Sequence, residues 1–261
     1  MSARFFCPEV APGAWRAGLE LELPEGAARH VQVLRHQPGD ALRLFDGHGG
    51  DWQATVLAMA RRSVQVRLDQ PLPVHRELPA PIHLAVGMPA NERMDALVEK
   101  ATELGVTALW PLHTRRSVLR LSGERAAKKI AHWQAVAVSA AEQCGRDRIP
   151  AVHPVQDWAA FWGQSWPRLS AGDAAGVSAA TMSAHVLTLE EGAEPWWQTC
   201  AAQATPVAVL LASGPEGGLD EAELAQARAA GAQPASLGPR VLRADTAPLQ
   251  ALGVWAARWS A

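Results

Sequence analysis

The 261-residue chain has no tyrosine, four phenylalanines and three cysteines, and among its 24 basic residues only Lys100, Lys128 and Lys129 are lysine. Cys7, Cys144 and Cys200 are few, odd in number and far apart, which excludes a CxxC metal pair and suits a reducing cytoplasm. His30 and His36 belong to no compact Cys/His set, so no metal is expected. No stretch approaches the roughly 20 apolar residues that cross a bilayer, so no membrane partner is expected. The opening MSARFFCPEV is broken by Pro8 and Glu9 and has no signal-peptide core. Neither GxxxxGK[ST] nor GxGxxG occurs, which argues against a nucleoside-triphosphate enzyme. A net charge of −2 excludes a chain that is basic throughout. Phosphate contacts need only a local patch, however. Such patches occur at Arg29, Arg35 and His36, at Arg61 and Arg62, at Arg115, Arg116 and Arg120, at Arg125, Lys128 and Lys129, and at Arg146 and Arg148. Each is equally readable as a solvated face. The scarcity of lysine beside 11 tryptophans reads as the codon usage of a GC-rich genome.

What is present reads as globular, with 48% apolar and 19% charged residues. The first 70 or so residues read as strands. DALRLFDGHGGDWQATVLAM is a hairpin pattern, and SVQVRL adds Val64, Val66 and Leu68 at period two. Four prolines then fall within Asp69 to Pro81, which marks a boundary between a domain over 1–72 and another over 79–261. Beyond it strands alternate with helices. IHLAVG, VTALWPL, SAHVLTL and VAVLLA read as strands. NERMDALVEKATELG and ERAAKKIAHWQAVAVSAAEQCG read as helices with apolar stripes, while Leu169 to Ala180 reads as a loop. Alternation of this kind implies a mostly parallel sheet covered on both faces.

Two glycine loops interrupt that pattern. VAVLLA runs straight into SGPEGG, and Asp220 with Glu223 then forms a capping box for the next helix. LGPRVLRADTA repeats the arrangement, with Thr246 and Pro248 opening the last helix. Ligands of open parallel sheets bind where loops leave the carboxyl ends of strands. Both segments can still be ordinary turns, and Glu216 stands where a phosphate would favour a cation. The residues alone point to a small-molecule site that does not take a triphosphate.

GPEGGL at Gly214 to Leu219 and LGPRVLRADTA at Leu237 to Ala247 resemble the signature of the RsmE family, which methylates N3 of a uridine in bacterial 16S ribosomal RNA. The likeness extends to VLR at Val33 to Arg35, LFDG at Leu44 to Gly47, KATELGV at Lys100 to Val106, Arg116 with Ser117, and AAEQCGRDRIP at Ala140 to Pro150. It implies an α/β fold in which a small PUA-like β-barrel precedes a SPOUT-type methyltransferase domain, whose C-terminal segment forms a trefoil knot. It also implies a cytoplasmic homodimer that binds S-adenosylmethionine (SAM) and acts on 16S rRNA within the small subunit or its assembly intermediate. Leu211, Gly214, Glu216, Gly217, Gly218, Leu237, Gly238, Leu242 and Thr246 would then hold the cofactor. Ala244 and Asp245 depart from the commoner LRTETA.

Methylation at N3 requires an unpaired base and stabilisation of its deprotonated imide. Arg240 and Arg243 are the candidate cations, unless each forms an ion pair with Glu216 or Asp245. Glu142 and Arg146 form either a helix salt bridge or, by the resemblance, a part of the site. Arg4, Arg29, His30, Arg35 and Arg116 are the candidate RNA contacts. A ribosome-assembly protein without catalysis, or a SPOUT enzyme for another RNA position, are the alternatives. The first has no reason to keep both loops intact.

Overall fold

Val64, Val66 and Leu68 are wholly buried while Gln65 and Arg67 between them are exposed, so the period-two pattern sinks one strand face into a core. The computed structural model describes residues 4–8, 13–73, 76–90, 92–171, 182–205 and 208–259. It divides into a first unit, Met1–Glu77 with Val138–Ile149, and a second, Leu78–Ala137 with Pro150–Ala261.

In the first unit β1 (Arg4–Phe6), β2 (Glu20–Glu22), α1 (Glu25–Val33), β3 (Ala41–Phe45), β4 (Asp51–Met59) and β5 (Val64–Pro71) build a five-stranded sheet ordered β1-β3-β4-β5-β2. Only the β1–β3 pair is parallel. The β3–β4 hairpin turns through Asp46, whose Oδ1 accepts the N–H groups of His48 at 2.6 Å and Gly50 at 2.9 Å. Register shifts between Gln53 and Ala54 and between Val56 and Ala58 mark bulges, which increase twist. Helix α1 breaks the expected all-strand reading. It buries Ala27, Ala28 and Val31 against Phe5, Leu44 and Val66. Its start carries Pro24 and Gly26 and no side-chain cap, so the usual start signal is missing.

The second unit holds β6 (Ile82–Gly87), α2 (Glu92–Glu103), β7 (Ala108–His113), α3 (Gly123–Cys144), β8 (Ala151–Val152), β9 (Gln156–Asp157), α4 (Trp158–Ala160), a π-helical turn (Phe161–Ser165), α5 (Trp166–Ser170), β10 (Ser183–Leu187), β11 (Glu194–Pro195), α6 (Trp196–Ala202), β12 (Val209–Ser213), α7 (Glu221–Ala229), β13 (Gln233–Ser236) and α8 (Thr246–Trp259). The last residues of α3 belong to the first unit. All pairings are parallel, in the order β11-β13-β10-β12-β6-β7-β8, with β9 also on β7. The anticipated strands and helices are present. Leu169 and Ser170 end a helix where a loop was expected, and 172–180 lie outside the described residues. The helical stretch from Trp158 to Ser170 was not anticipated. Trp158, Trp162 and Trp166 recur every fourth residue and bury one face against Leu210, Ala212 and Ala227. Trp158 and Trp166 also donate their indole N–H groups to the carbonyls of Glu223 and Ala230, each at 3.0 Å, and so pin α7. No helix among the described residues is long and apolar enough to cross a membrane.

Candidate active site

The chain order of the sheet decides what its loops can meet. β10 lies between β12 and β13, and all three run parallel. The segments leaving their carboxyl ends therefore emerge side by side, at the edge where open α/β sheets bind ligands. They enclose a cavity of about 430 Å³, bounded by 187–190, by 213–216 with Gly218 and Leu219, and by the loop that carries Leu237 and 240–244, with Leu224 and Ala247 completing the wall. Both glycine loops thus face one space. The first wall, Leu187 to Glu190, was not anticipated. It follows an ordinary apolar strand and carries no glycine to mark it.

Close packing shapes the first loop. Gly218 adopts φ +70° and donates its N–H to the Pro215 carbonyl at 2.8 Å. A Cβ on Gly214 would lie 2.9 Å from the Gly218 carbonyl carbon and the Leu219 nitrogen, so the loop closes on itself only with glycine there. Pro215 in turn fills the space that a Cβ on Gly87 would need, 2.7 Å from its Cδ. The Gly217 side faces Arg116, whose Cβ would be 2.9 Å away and whose Nη1 donates to the Gly217 carbonyl at 2.9 Å. Arg116, expected on RNA, therefore braces the glycine loop. Arg115 adds two more ties: its Nη1 meets Asp220 at 3.0 Å and its N–H donates to Glu223 at 2.6 Å. The Asp220–Glu223 capping box forms as expected and starts α7.

Glu216 does not pair with Arg240 or Arg243. Its Oε1 accepts the Ala90 N–H and the Arg93 guanidinium, both at 3.1 Å. Partial burial pushes this carboxyl up, but the hydrogen bonds and the nearby cation outweigh it and hold it below its ordinary value. Arg240 and Arg243 line the cavity, are exposed, and their guanidinium groups make no ion pair or hydrogen bond with a described residue. The Asp245 Oδ1 is buried without a described partner, and so is the Ser213 hydroxyl at the floor, whose residue is 3% exposed. In the second loop Gly238 sits at φ +99°, and the Arg243 carbonyl accepts the N–H groups of Thr246 and Ala247 at 3.0 Å as α8 begins. Gly214, Glu216, Gly218, Leu237 and Leu242 line the cavity. Gly217, Gly238 and Thr246 are chain neighbours of lining residues, and Leu211 is wholly buried within β12.

Three anticipated residues have other tasks. Arg4 is 7% exposed, so it cannot grip RNA: its guanidinium is held by Asp51 at 2.7 Å and by the carbonyls of Ala141 and Arg146 at 3.1 Å. Arg146 is 4% exposed and ion-paired with Glu77 at 2.5 Å. Glu142 accepts the Phe6 N–H at 2.9 Å, and burial raises its carboxyl above the ordinary value. These contacts build the first unit, and they replace the catalytic reading of Glu142 and Arg146. Arg29 and His30 within α1 and Arg35 just beyond it remain exposed, with the His30 ring edge-on to Phe5 at 5.1 Å.

Residues 76–256 match the RNA methyltransferase domain family and residues 23–69 the RNA methyltransferase PUA domain. The ribosomal RNA small subunit methyltransferase E of Mycobacterium tuberculosis is 35% identical over 88% of this chain and 84% of its own, and that of Bacillus subtilis 30% over 85% and 83%. The chain belongs to this family. Two solved RsmE-like structures share its fold. The Neisseria gonorrhoeae enzyme bound to S-adenosylmethionine has a TM-score of 0.84 at 29% identity, covering 99% of this chain and 98% of its own. A Legionella pneumophila methyltransferase in complex with SAM has a TM-score of 0.84 at 32% identity, covering 98% of each. The PUA-like first unit and the α/β methyltransferase unit of this RsmE-family chain are the two parts that the resemblance implied.

Proposed function

We propose that this RsmE-family protein methylates N3 of a uridine in 16S ribosomal RNA, taking the methyl group from SAM. The observation that carries the reading is the convergence of both glycine loops on one cavity, with Arg240 and Arg243 at its wall and no described partner for either guanidinium. The family's RNA methyltransferases and the two SAM-bound relatives support the substrate class and the donor.

The residues present suit that donor. A cavity of about 430 Å³ falls within the ~300–1,000 Å³ usual for small-molecule sites. Leu187, Leu219, Leu237 and Leu242 offer apolar contact, and the buried Ser213 hydroxyl offers a hydrogen-bonding atom that no described residue engages. Backbone groups of Gly214, Gly217, Gly218, Leu237 and Gly238 would take the adenine and ribose edges, with Leu211 and Thr246 supporting them. Bound there, SAM supplies an electrophilic methyl on a sulfonium centre.

The rest falls to the chain itself. Uridine N3 carries an imide proton and is reachable only in an unpaired or extruded base. Arg240 and Arg243 would stabilise the deprotonated imide as its charge develops, each through a planar fork that also suits a uracil carbonyl. Arg29, His30 and Arg35 would take phosphates at the first unit, which positions RNA without reading sequence. The working form is proposed as a cytoplasmic homodimer, with its C-terminal segment knotted around the cavity.

Mass spectrometry of digested 16S rRNA from a deletion strain tests the assignment. Loss of one 3-methyluridine is expected, restored by the wild-type chain and not by Arg243→Ala. Full retention of the nucleoside in the deletion strain defeats it.

A further inference from the structure

Arg125, Lys128, Lys129 and His132 stand at i, i+3, i+4 and i+7 of α3, which places them along one helix face. This face has no part in the cofactor cavity. It borders two hollows of the second unit. One, about 300 Å³, is lined by Ala90, Val118, Leu119, Arg120 and Arg125; the other, about 740 Å³, is lined by Arg125, Lys128, Lys129, His132, Asp95 and Glu124. Arg125 belongs to both, so the two hollows adjoin.

The hollows also reach the active site. Ala90, in the wall of the smaller one, donates its N–H to Glu216, which lines the cofactor cavity. Arg120 donates to the carbonyls of Thr114 at 2.9 Å and Arg115 at 3.2 Å, in the same segment whose Arg116 braces Gly217. A path therefore runs from the cavity mouth past Arg120 and Arg125 to Lys129.

Charge identifies the occupant. The path carries four permanent cations, Arg120, Arg125, Lys128 and Lys129, against two carboxylates, Asp95 and Glu124. Asp95 is already held by His132 Nε2 at 2.9 Å and by the Trp133 indole at 2.8 Å. Glu124 meets Lys128 only at 3.6 Å between largely exposed side chains, a pairing worth little in water. The Arg125 guanidinium and the Lys129 ammonium make no ion pair or hydrogen bond with a described residue, although Lys129 lies near enough to Asp95 to help hold its carboxyl down. By contrast, Lys100, the chain's other lysine, is neutralised by both Glu99 and Glu103. A row of cations that outnumbers its carboxylates and leads to a reaction cavity matches a polyanionic chain entering that cavity.

We propose that this face of α3, with Arg120, is a track for the phosphate backbone of the RNA substrate on the methyltransferase unit. The inference rests on the proposed function for the identity of the polyanion. The track positions and does not specify, because its donors are Lys and Arg aimed at phosphates.

Arg125→Ala, Lys129→Ala and the double variant test it, with in vitro-transcribed 16S rRNA as probe in fluorescence anisotropy across a salt series. Each single change should lower the slope of log K against log salt by about 0.7–0.9, the share of one phosphate contact. The double variant should bind at least about tenfold more weakly near 0.15 M salt, while calorimetric SAM binding stays at the wild-type value, which also shows the fold intact. Wild-type affinity and slope in the double variant would overturn the track. A wild-type chain that transfers no methyl group, yet loses RNA affinity on these substitutions, would instead overturn the proposed function and leave the track standing.

Discussion

Gly214 and Gly217 occupy one short loop but do different work. At Gly214 an added Cβ meets the Gly218 and Leu219 backbone of the same loop; at Gly217 it meets the Arg116 Cβ, which is fixed to the backbone of a different segment. Gly214→Ala should therefore lower SAM affinity by more than about tenfold, the factor that ~1.4 kcal/mol represents. Gly217→Ala should weaken it less, because Gly214 lines the cavity and Gly217 does not, so a Cβ at Gly217 would push the loop off Arg116 without filling the cavity itself. Calorimetry on both variants decides the order, and a reversed ranking would remove this account of the loop. The motif GPEGG was legible in the sequence. What crowds each glycine was not, since Leu219 meets Gly214 from within the loop while Arg116 meets Gly217 from a segment 101 residues earlier.

At the scale of elements, strand β6 shows what parallel sheets bury. His83 is 4% exposed, and neither ring nitrogen has a described partner. Burial, with the nearby His153 adding to it, pushes its pKa down to about 4. Burial does the same to His153 and His185, each pushed down to about 4. The unfolded chain takes up these protons below about pH 6.5, and the folded rings only near 4. Stability is therefore full above about 6.5 and falls as pH drops from there toward 4, by about 1.4 kcal/mol per pH unit for a fully buried histidine. His83→Leu keeps a similar volume and removes the proton uptake. Its Tm should fall less steeply than the wild type's between pH 6.5 and 4, and an unchanged slope would show that His83 does not titrate in this way. IHLAVG reads as a strand because five of its six residues are apolar or small. The fate of its histidine is set by β12 and β7 on either side. The tryptophan-rich helical stretch teaches a related lesson. A tryptophan every fourth residue is a helical signal in its own right, yet Gly163 and Pro167 mask it to a reading based on breakers.

For the whole molecule, the first unit is discontinuous. Arg4, Phe6 and Glu77 find their partners in Ala141, Glu142 and Arg146, more than 60 residues further along the chain. Removing one partner of a buried ion pair costs ~3–5 kcal/mol, comparable with the entire stability of a small domain. A fragment ending at residue 77 should therefore fail to fold alone, giving a disordered circular-dichroism spectrum. A cooperative thermal transition in that fragment would show the 138–149 segment to be dispensable.

Composition, period and punctuation were enough to determine the class of fold, the parallel sheet, the capped α7 and the two glycine loops, because those are local properties of strands, helices and turns. The family likeness came with them, carried by motifs in order along the chain. Only the tertiary structure decided that the loop after β10 completes the cavity, that Glu216 belongs to Arg93 and Ala90, and that Arg4 and Arg146 are buried braces. Those outcomes depend on strand order and on contacts between residues far apart in sequence, where desolvation and close packing choose one partner from several of the right chemistry.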